Sequence, residues 1–425
     1  MNLLLSLSLL ILFAISVPVA VSIALASIFS ITFASSLPLM VVPQKMFTGL
    51  DSFPLMAVPF FILAGVIMTH GGISQRLVEF ARALIGGLQG GLACSCVLTC
   101  MVFAAISGSS VATTFAVGGI LIPAMVRYGY PVSMAASIQA SSAGLGVIIP
   151  PSVPLILYAV STETSITQLF MAGLGPGLLI VASLVLMVQI WCRLKGYGRR
   201  DGEERESLLI TTRKAFWALL MPVIIIGGIY GGIFTPTEAA AVSVVYALIL
   251  ATLVYRQITL KDLPGLFREA AVASGVVMLI ISAASLFSFL ISLSDLPSAI
   301  GSWTEAHLGS AFAFLLGVNA LLLLVGMFVE TAAAILVLAP ILTPVAISFG
   351  IDPVHFGVVM VVNLALGMFT PPLGVNMFAA ASVANVPVQR LFIPILLPIA
   401  AMLAALLLIT YVPILSLGLN QWLAG

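Results

Sequence analysis

Two short polar interruptions lie within apolar stretches of this sequence, and their residue types suit the binding of cations or of a small anionic solute. The first reads SGSS at 107–110 and the second reads FVET at 328–331. Where an apolar chain reverses direction, the carbonyls that end one helix and the amides that open the next have no helical partners. Carbonyl and hydroxyl oxygens are ligands for Na⁺, and the positive end of a helix suits a carboxylate. Ser109 or Ser110 would also cap the helix that follows the first interruption.

A second break follows each interruption along the chain. Residues 141–146 read SSAGLG and residues 363–370 read NLALGMFT. We predict that each tip faces its break and that a cation is held between them. The candidate cation ligands are Ser107, Gly108, Ser109, Ser110, Ser141, Ser142, Gly144 and Gly146 in the first half, and Thr331, Asn363, Gly367 and Thr370 in the second.

Carboxylates inside apolar segments are functional candidates, because charges are costly within a membrane. Glu330 lies in the second tip, and Glu238 ends the sequence TPTE that begins at Thr235. A helix that begins there can use Glu238 to cap Thr235, so a cap and a binding residue remain alternatives for this carboxylate. The candidate substrate ligands are Ser109, Ser110, Glu238 and Asn363.

Single glycines, serines and prolines are common in membrane helices, where they serve packing or produce kinks. Their repetition favours a functional interpretation here. Five helix-breaking residues have the same residue type 221 positions later in the chain. The first set is Pro123, Gly129, Gly146, Pro150 and Pro151, and the second set is Pro344, Gly350, Gly367, Pro371 and Pro372. The sequence therefore predicts an internal duplication that carries two related sites.

The composition indicates a membrane protein. The chain has 425 residues, of which 62% are hydrophobic and 7% charged, and its mean hydropathy is +1.27. These values exclude a water-soluble globular domain and predict an all-α polytopic membrane protein. A hydrocarbon core of about 30 Å needs roughly 20 apolar residues per helix, so the apolar runs predict about ten spans plus two re-entrant hairpins.

The motifs of the sequence give no indication of an enzyme or of an ATP-driven pump. The sequence has no P-loop, zinc-binding pattern or nucleophile elbow, so we expect neither an enzyme nor an organic cofactor. The cysteines lie in apolar surroundings and are predicted to be packing residues, which leaves Na⁺ and no transition metal as the expected ion. They are Cys94, Cys96, Cys100 and Cys192.

The apolar runs predict two halves with the same order of elements. Residues 1–192 form the first repeat, 193–214 a charged cytoplasmic linker, and 215–425 the second repeat. The hairpins are predicted at about 92–126 and 311–349, and the broken helices at about 131–160 and 353–384. Each half is also expected to carry an amphipathic arm helix along the interface, at 73–87 and 293–310. In the first of these, Leu77, Phe80, Ala81 and Leu84 are predicted to share the apolar face. Five crossings per half would turn the second half upside down, which is the inverted-repeat plan of secondary transporters.

The distribution of lysine and arginine predicts the orientation. If the 193–214 linker is cytoplasmic, almost all basic loop residues fall on the cytoplasmic side, and only Lys45 lies opposite. Both termini are then periplasmic. The first hairpin enters from the cytoplasm and the second from outside, so their tips are predicted to approach each other near the middle of the membrane.

Four longer motifs resemble the large membrane subunit of tripartite ATP-independent periplasmic (TRAP) transporters, within the ion-transporter superfamily. They are GSSVATTFAVGGILIPAMVRYGYP, GVIIPPSVPLILYAV, GGIFTPTEAAAVSVVYAL and PILTPVAISFGIDPVHFGVVMVVNLALGMFTPPLGVNMF. The resemblance implies a multi-pass protein of the bacterial inner membrane that works with a small four-span membrane subunit and a periplasmic substrate-binding protein. We expect that subunit to be a separate chain.

The resemblance also implies a mechanism, namely Na⁺-coupled uptake of an organic acid such as a C4-dicarboxylate or sialic acid by an elevator movement. The family's sodium sites would fall between each tip and its break. They carry over onto Ser107, Gly108, Ser109 and Ser110 with Gly144 and Gly146, and onto Val329, Glu330 and Thr331 with Gly367 and Thr370.

Three alternatives remain at this stage. A stand-alone Na⁺/dicarboxylate or citrate symporter of the same superfamily would share the hairpins but need no binding protein. A channel would need a continuous polar stripe, whereas the polar residues cluster at the breaks. A membrane scaffold would not need paired breaks.

Overall fold

The computed structural model describes residues 1–85, 87–198, 206–294 and 296–424, and the structural statements below refer to that part of the chain. Its regular structure is helical. The α-helices are α1 Asn2–Ala14, α2 Val19–Ala34, α3 Val41–Thr48, α4 Ala57–His70, α5 Ile73–Ile85, α6 Gly91–Ser107, α7 Ser110–Arg127, α8 Val132–Ala143, α9 Leu145–Ile148, α10 Val153–Thr162, α11 Ile166–Lys195, α12 Leu208–Tyr230, α13 Pro236–Ile249, α14 Leu263–Leu293, α15 Leu296–Leu308, α16 Ala311–Phe328, α17 Thr331–Ser348, α18 Pro353–Gly367, α19 Val375–Ala384, α20 Leu396–Tyr411 and α21 Ile414–Ala424.

The chain is a multi-pass membrane protein. Within the described residues, eight helical stretches are long and apolar enough to cross a membrane, and up to ten are if each of two bent helix pairs counts as one span. The pair Val132–Ile148 with Val153–Thr162 is bent by 41°, at the break predicted within 131–160. Three of the eight stretches are α7, α16 and α17, which the sequence places in hairpins. Length and composition do not distinguish a re-entrant arm from a crossing helix, so re-entry stays a prediction.

The helix pairs at the two predicted hairpins have nearly the predicted bounds. Helices α6 and α7 are separated by Gly108 and Ser109 and pack against each other, as α16 and α17 do around Val329 and Glu330. Polar residues at the helix starts explain these boundaries, because their side chains accept hydrogen bonds from free amides of the first turn. Ser109 accepts one from Ala112 at the start of α7.

Helix boundaries recur at the interval seen in the sequence. Helix α7 begins at residue 110 and α17 at 331, and α8 begins at 132 and α18 at 353. The turns that precede α8 and α18 contain Gly129 and Gly350, whose φ angles are +83° and +75°. Both values lie in the left-handed region, which glycine tolerates without steric cost.

The amphipathic segment at 73–85 is the helix α5, but its buried face differs from the one predicted. The sequence places Leu77, Phe80, Ala81 and Leu84 together, whereas the structure buries Leu77 and Ala81 and leaves Leu84 50% exposed. The buried stripe also includes Ser74 and Val78, and α5 packs against α6 and α12. The buried face is therefore turned about the helix axis from the predicted face, towards Ser74 and Val78.

Helices α1 and α2 pack against α14 through an apolar cluster of their own. Helix α1 packs on α2, and α2 packs on α14. This contact is apolar, since Leu5, Ile23 and Ile31 are buried in one cluster with Leu286 and Leu290. The short helix α3 packs on α14 as well. Lys45 of α3 lies 4.3 Å from the centre of the Phe289 ring.

The charged linker lies partly outside the described residues. Helix α11 extends to Lys195 and α12 begins at Leu208, so both helices run into the linker predicted at 193–214. Residues 199–205 of the linker are outside the described part, and so is residue 295 before α15. The orientation of the linker and of the termini stays a prediction.

Candidate functional site

The first tip is a tight reversal between α6 and α7. Gly108 has a φ angle of +59°, in the left-handed region where a side chain would be strained. Ser109 follows in an extended conformation and caps α7, because its Oγ accepts a hydrogen bond from the backbone N–H of Ala112 at 3.4 Å. The positive end of α7 is thus capped by a neutral side chain.

Hydroxyl groups cluster around the backbone of this tip. Ser107 Oγ donates to the carbonyl oxygen of Ser109 at 3.3 Å, and Thr113 Oγ1 donates to the same oxygen at 2.7 Å. The two hydroxyls are 3.1 Å apart. Ser107 and Thr113 are buried, so the tip gathers several oxygen atoms in a space that water reaches poorly.

The first tip packs directly on the break that the sequence pairs with it. A Cβ atom placed on Gly146 would lie 2.6 Å from the carbonyl oxygen of Ser109 and 2.9 Å from Cα of Ser110. A Cβ atom on Gly108 would lie 3.0 Å from the carbonyl oxygen of Pro151. Backbone meets backbone at both points, so glycine is needed for this approach.

The second tip uses a carboxylate where the first uses a hydroxyl. Glu330 Oε2 accepts hydrogen bonds from the backbone N–H groups of Ala332 and Ala333, at 3.0 and 3.4 Å. Glu330 therefore caps α17, while Val329 ends α16. The next residue, Thr331, is fully buried, and its Oγ1 has no hydrogen-bond partner among the described residues.

The second hairpin meets its break through the arm α16 rather than through the tip. A Cβ atom on Gly367 would lie 2.6 Å from Cα of Gly326, which precedes the tip on α16. Thr370 Oγ1, beyond the break, donates to the carbonyl oxygen of Leu366 at 2.7 Å. Gly367 is thus close to the second hairpin, and the two hairpins approach their breaks differently.

The two breaks also meet each other. A Cβ atom on Gly144 would lie 3.5 Å from the Phe369 ring and 3.7 Å from the carbonyl oxygen of Ala365. Ser110 Oγ donates to Met368 Sδ at 3.3 Å. The first tip, its break and the second break therefore form one contiguous region.

A cavity of about 500 Å³ opens beside this region. One wall consists of α4 and α14, and the opposite wall consists of both tips, the first break and Met368. The lining residues are Ile62, Gly65, Val66, Thr69, Ser107, Gly108, Ser109, Ser110, Val111, Ala112, Phe115, Val147, Val153, Pro154, Glu269, Ala273, Val277, Glu330, Ala332 and Met368. A cavity of this size accommodates a small organic molecule.

The ionisable residues of the lining are acidic. Glu269 and Glu330 are the two ionisable residues among the lining residues, and the set includes no lysine or arginine. The remaining wall is mostly apolar, with hydroxyl groups concentrated at the first tip. The groups of this lining that suit an anion are serine hydroxyls and the amides at the start of α7.

Two predicted substrate ligands are not among the residues that line the cavity. Asn363 is fully buried, and its Nδ2 donates to the backbone oxygen and Oδ1 of Asn319 at 2.9 and 2.8 Å. Glu238 accepts hydrogen bonds from the backbone N–H and Oγ1 of Thr235, which makes it the partner in a capping box at the start of α13. Of the two alternatives for Glu238, the structure has the cap.

Several residues that the sequence analysis did not select belong to this region. Glu269 and Met368 line the cavity. Asn376 is fully buried near the start of α19, its backbone N–H donates to the carbonyl oxygen of Met368, and neither atom of its side-chain amide has a partner among the described residues. Within the first break, Ser142 Oγ, a cation ligand predicted from the sequence, is similarly unpartnered. The signal for Asn376 was present, since it is a polar residue in an apolar run just after a Pro-Pro break.

Comparison with known proteins identifies the family. Residues 6–415 match the family described as "Tripartite ATP-independent periplasmic transporter, DctM component". The chain is 45% identical over 403 residues to the isethionate TRAP transporter permease protein DctMQ of Oleidesulfovibrio alaskensis, covering 94% of this chain and 63% of that protein. It is 44% identical over 380 residues to the C4-dicarboxylate TRAP transporter large permease protein DctM of Pseudomonas aeruginosa, covering 89% of each.

A sialic acid permease and a solved transporter structure are also similar. The sialic acid TRAP transporter large permease protein SiaM of Vibrio cholerae is 39% identical and covers 85% of each chain. The fold resembles the YdaH transporter of Alcanivorax borkumensis, with a TM-score of 0.62 at 16% identity over 91% of this chain and 88% of that one. Proteins of the matched family are permeases rather than enzymes, and they work with a substrate-binding protein and a small membrane subunit. The chain belongs to the DctM family, the large membrane component of TRAP transporters.

Proposed function

We propose that this chain is the large permease subunit that carries an organic acid into the cell together with Na⁺, after a periplasmic binding protein has delivered the acid. The observation that carries this proposal is the meeting of the first tip, both breaks and Glu330 of the second tip around one cavity. A protein with a purely structural role would not need helix ends with free backbone groups at the depth of a membrane.

The oxygen atoms at the two tips support sodium as the coupling ion. Around the first tip, carbonyls and hydroxyls of residues 107–110 lie against the break at Gly146. Around the second, the buried Thr331 hydroxyl is unpartnered, which is costly unless a ligand pairs with it. We place one Na⁺ among Ser107, Gly108, Ser109, Ser110, Gly144 and Gly146, and a second among Val329, Glu330, Thr331, Gly367 and Thr370.

The acidic group of the substrate is placed at the start of α7. The positive end of α17 is already compensated by the carboxylate of Glu330, whereas α7 is capped by the neutral Ser109. An anion therefore gains more at Ser109 and Ser110, which both line the cavity. Relatives are named for isethionate, C4-dicarboxylates and sialic acid, so the proposed class is a carboxylate or a similar organic acid.

An elevator movement of inverted repeats fits the arrangement of the walls. The tips, breaks and Met368 form one wall and would move together, while α4 and α14 form the other wall and would stay in place. The interval of 221 residues between corresponding helix starts supports the duplication on which this plan rests. We place the protein in the bacterial inner membrane with both termini in the periplasm, beside a separate four-span subunit.

Transport in reconstituted liposomes tests this proposal. The chain is purified with the small membrane subunit and the binding protein encoded beside it, and uptake of radiolabelled succinate, isethionate and N-acetylneuraminate is measured with and without an inward Na⁺ gradient. We expect uptake of at least one acid that requires the binding protein and is abolished when Na⁺ is replaced by K⁺. Uptake that persists without a Na⁺ gradient would overturn the coupling, and uptake by the chain alone would indicate a stand-alone symporter.

A further inference from the structure

The cavity continues from the first tip along one face of α4 and one face of α14. On α4 the lining residues run from Ile62 to Thr69, and on α14 they run from Val277 to Glu269. At 1.5 Å per residue, each face extends about 10 to 12 Å along its helix. Gly65 lies beside Ser107, since a Cβ atom there would be 3.4 Å from Cα of Ser107. Glu269 therefore lies at one end of the lining face of α14, about 12 Å along the helix from Val277.

A carboxylate and a histidine mark this end of the cavity. Glu269 Oε2 lies 3.8 Å from Nε2 of His70, the last residue of α4, and their side chains are 55% and 47% exposed. His70 is oriented by a second contact, because its Nδ1 is 3.0 Å from the carbonyl oxygen of Val66. The pair joins α4 and α14 at this end of the cavity, where both side chains are about half exposed.

Basic residues that the charge pattern assigns to the cytoplasm lie close to this end of the cavity. Helix α5 follows His70 after a two-residue turn, and its Arg76 lies 3.8 Å from the ring centre of Tyr255. Helix α14 begins at Leu263, shortly after Arg256 and Lys261. The end of the cavity at Glu269 is therefore on the proposed cytoplasmic side, where the substrate is released.

We propose that Glu269 controls the release of the anionic substrate into the cytoplasm by repelling it at the mouth of the cavity. The carboxylate lines the same cavity as the first tip, so in the inward-facing state its charge lowers the affinity for an anion that is bound there. It disfavours rebinding from the cytoplasm and leaves binding from the periplasm unchanged. This inference rests on the proposed function, because it assumes that the transported solute is an anion.

The expected effect follows from Coulomb's law. Two unit charges roughly 8 Å apart, at an effective dielectric constant of roughly 40, change an equilibrium constant about fivefold. Glu269→Gln keeps the shape of the side chain and removes the charge. The assay uses the reconstituted complex, with isethionate as the first probe and succinate as the second. Net uptake is measured at increasing concentrations of the same acid inside the liposomes. We expect the internal concentration that halves net uptake to be about fivefold lower in this variant than in the wild type. The external KM should not change.

Two variants and one accessibility measurement make the test decisive. Glu269→Asp keeps the charge and should behave as the wild type, and Glu305→Gln removes an exposed carboxylate of α15 that does not line the cavity. Thr69→Cys should react with a membrane-impermeant thiol reagent only when the reagent is inside the liposomes. If Glu269→Gln folds poorly, a Glu269→Ser variant gives the same comparison.

The outcomes separate this inference from the proposed function. Equal inhibition by internal isethionate in wild type and Glu269→Gln would overturn the role of Glu269 while transport itself stands. Labelling of Thr69→Cys from outside alone would overturn the position of the mouth. If wild-type liposomes take up neither probe nor any other acid tested, the proposed function fails first.

Discussion

Replacement of Gly146 by alanine tests the contact between the first tip and its break. The added Cβ atom would lie 2.6 Å from the carbonyl oxygen of Ser109, 2.8 Å from its carbonyl carbon and 2.9 Å from Cα of Ser110. All three are backbone atoms, so no side-chain rotation relieves the clash and the tip itself must move. Overpacking of this kind typically costs about 1 to 3 kcal/mol.

That cost has a direct consequence for cation binding. If the tip moves away from the break, the oxygen atoms gathered there no longer face one another. If about 1 to 3 kcal/mol is lost from the free energy of Na⁺ binding, the affinity for Na⁺ decreases roughly fivefold to 150-fold. We expect the Na⁺ concentration for half-maximal uptake to rise within that range, with a smaller effect on the yield of folded protein.

A matched control comes from the same hairpin. A Cβ atom on Gly119 of α7 would meet nothing within 4 Å, so Gly119→Ala should leave Na⁺ dependence unchanged. It should also stabilise the helix slightly, by about 0.5 to 1 kcal/mol. The assay is uptake in liposomes against external Na⁺, together with thermal unfolding of the purified complex. A normal Na⁺ dependence in folded Gly146→Ala would refute the reasoning that this contact shapes a cation site.

Three further substitutions test separate parts of the site. Thr331→Ala removes a buried hydroxyl that has no hydrogen-bond partner within the described chain. The affinity for Na⁺, measured by uptake, should therefore fall while Tm is unchanged or rises. A lower Tm with normal Na⁺ affinity would contradict this. Glu238→Ala removes the capping partner of Thr235 and should lower Tm slightly with no change in KM for the substrate, and a raised KM would restore Glu238 as a substrate ligand. Asn363→Leu leaves two buried acceptors of Asn319 without their donor. It should cost about 1 to 3 kcal/mol of stability, measured as a lower Tm. A normal Tm with weakened substrate binding would instead show a direct role for Asn363.

Much of the helical framework follows from the sequence because apolar run length and cap residues are local properties. The start of α7 at Ser110 and the start of α17 at Thr331 fall where the sequence places them, since glycine and polar residues there end one helix and begin the next. The break near Gly146 is local in origin for the same reason. The family also follows from such local motifs, and the comparison of sequences confirms it.

The faces of helices are less well determined by the sequence. In α5 the apolar residues allow more than one stripe, and the structure buries Leu77, Val78 and Ala81 while it leaves Leu84 half exposed. Similarly, the sequence leaves Glu238 between a cap and a ligand. The distance from its carboxylate to Thr235 shows the cap, because that contact depends on where the side chain points, and the role of Glu238 as a substrate ligand stays a prediction.

The cavity is a property of the tertiary structure alone. Glu269 is separated from Glu330 by 61 positions and from Ser109 by 160 in the sequence, yet all three line the same space. The sequence by itself determined where the helices break and which polar groups those breaks expose, because backbone hydrogen bonding is settled within a few residues. The packing of α4 and α14 against the tips decided which of those groups share a cavity, because contacts between distant segments depend on how whole helices fit together.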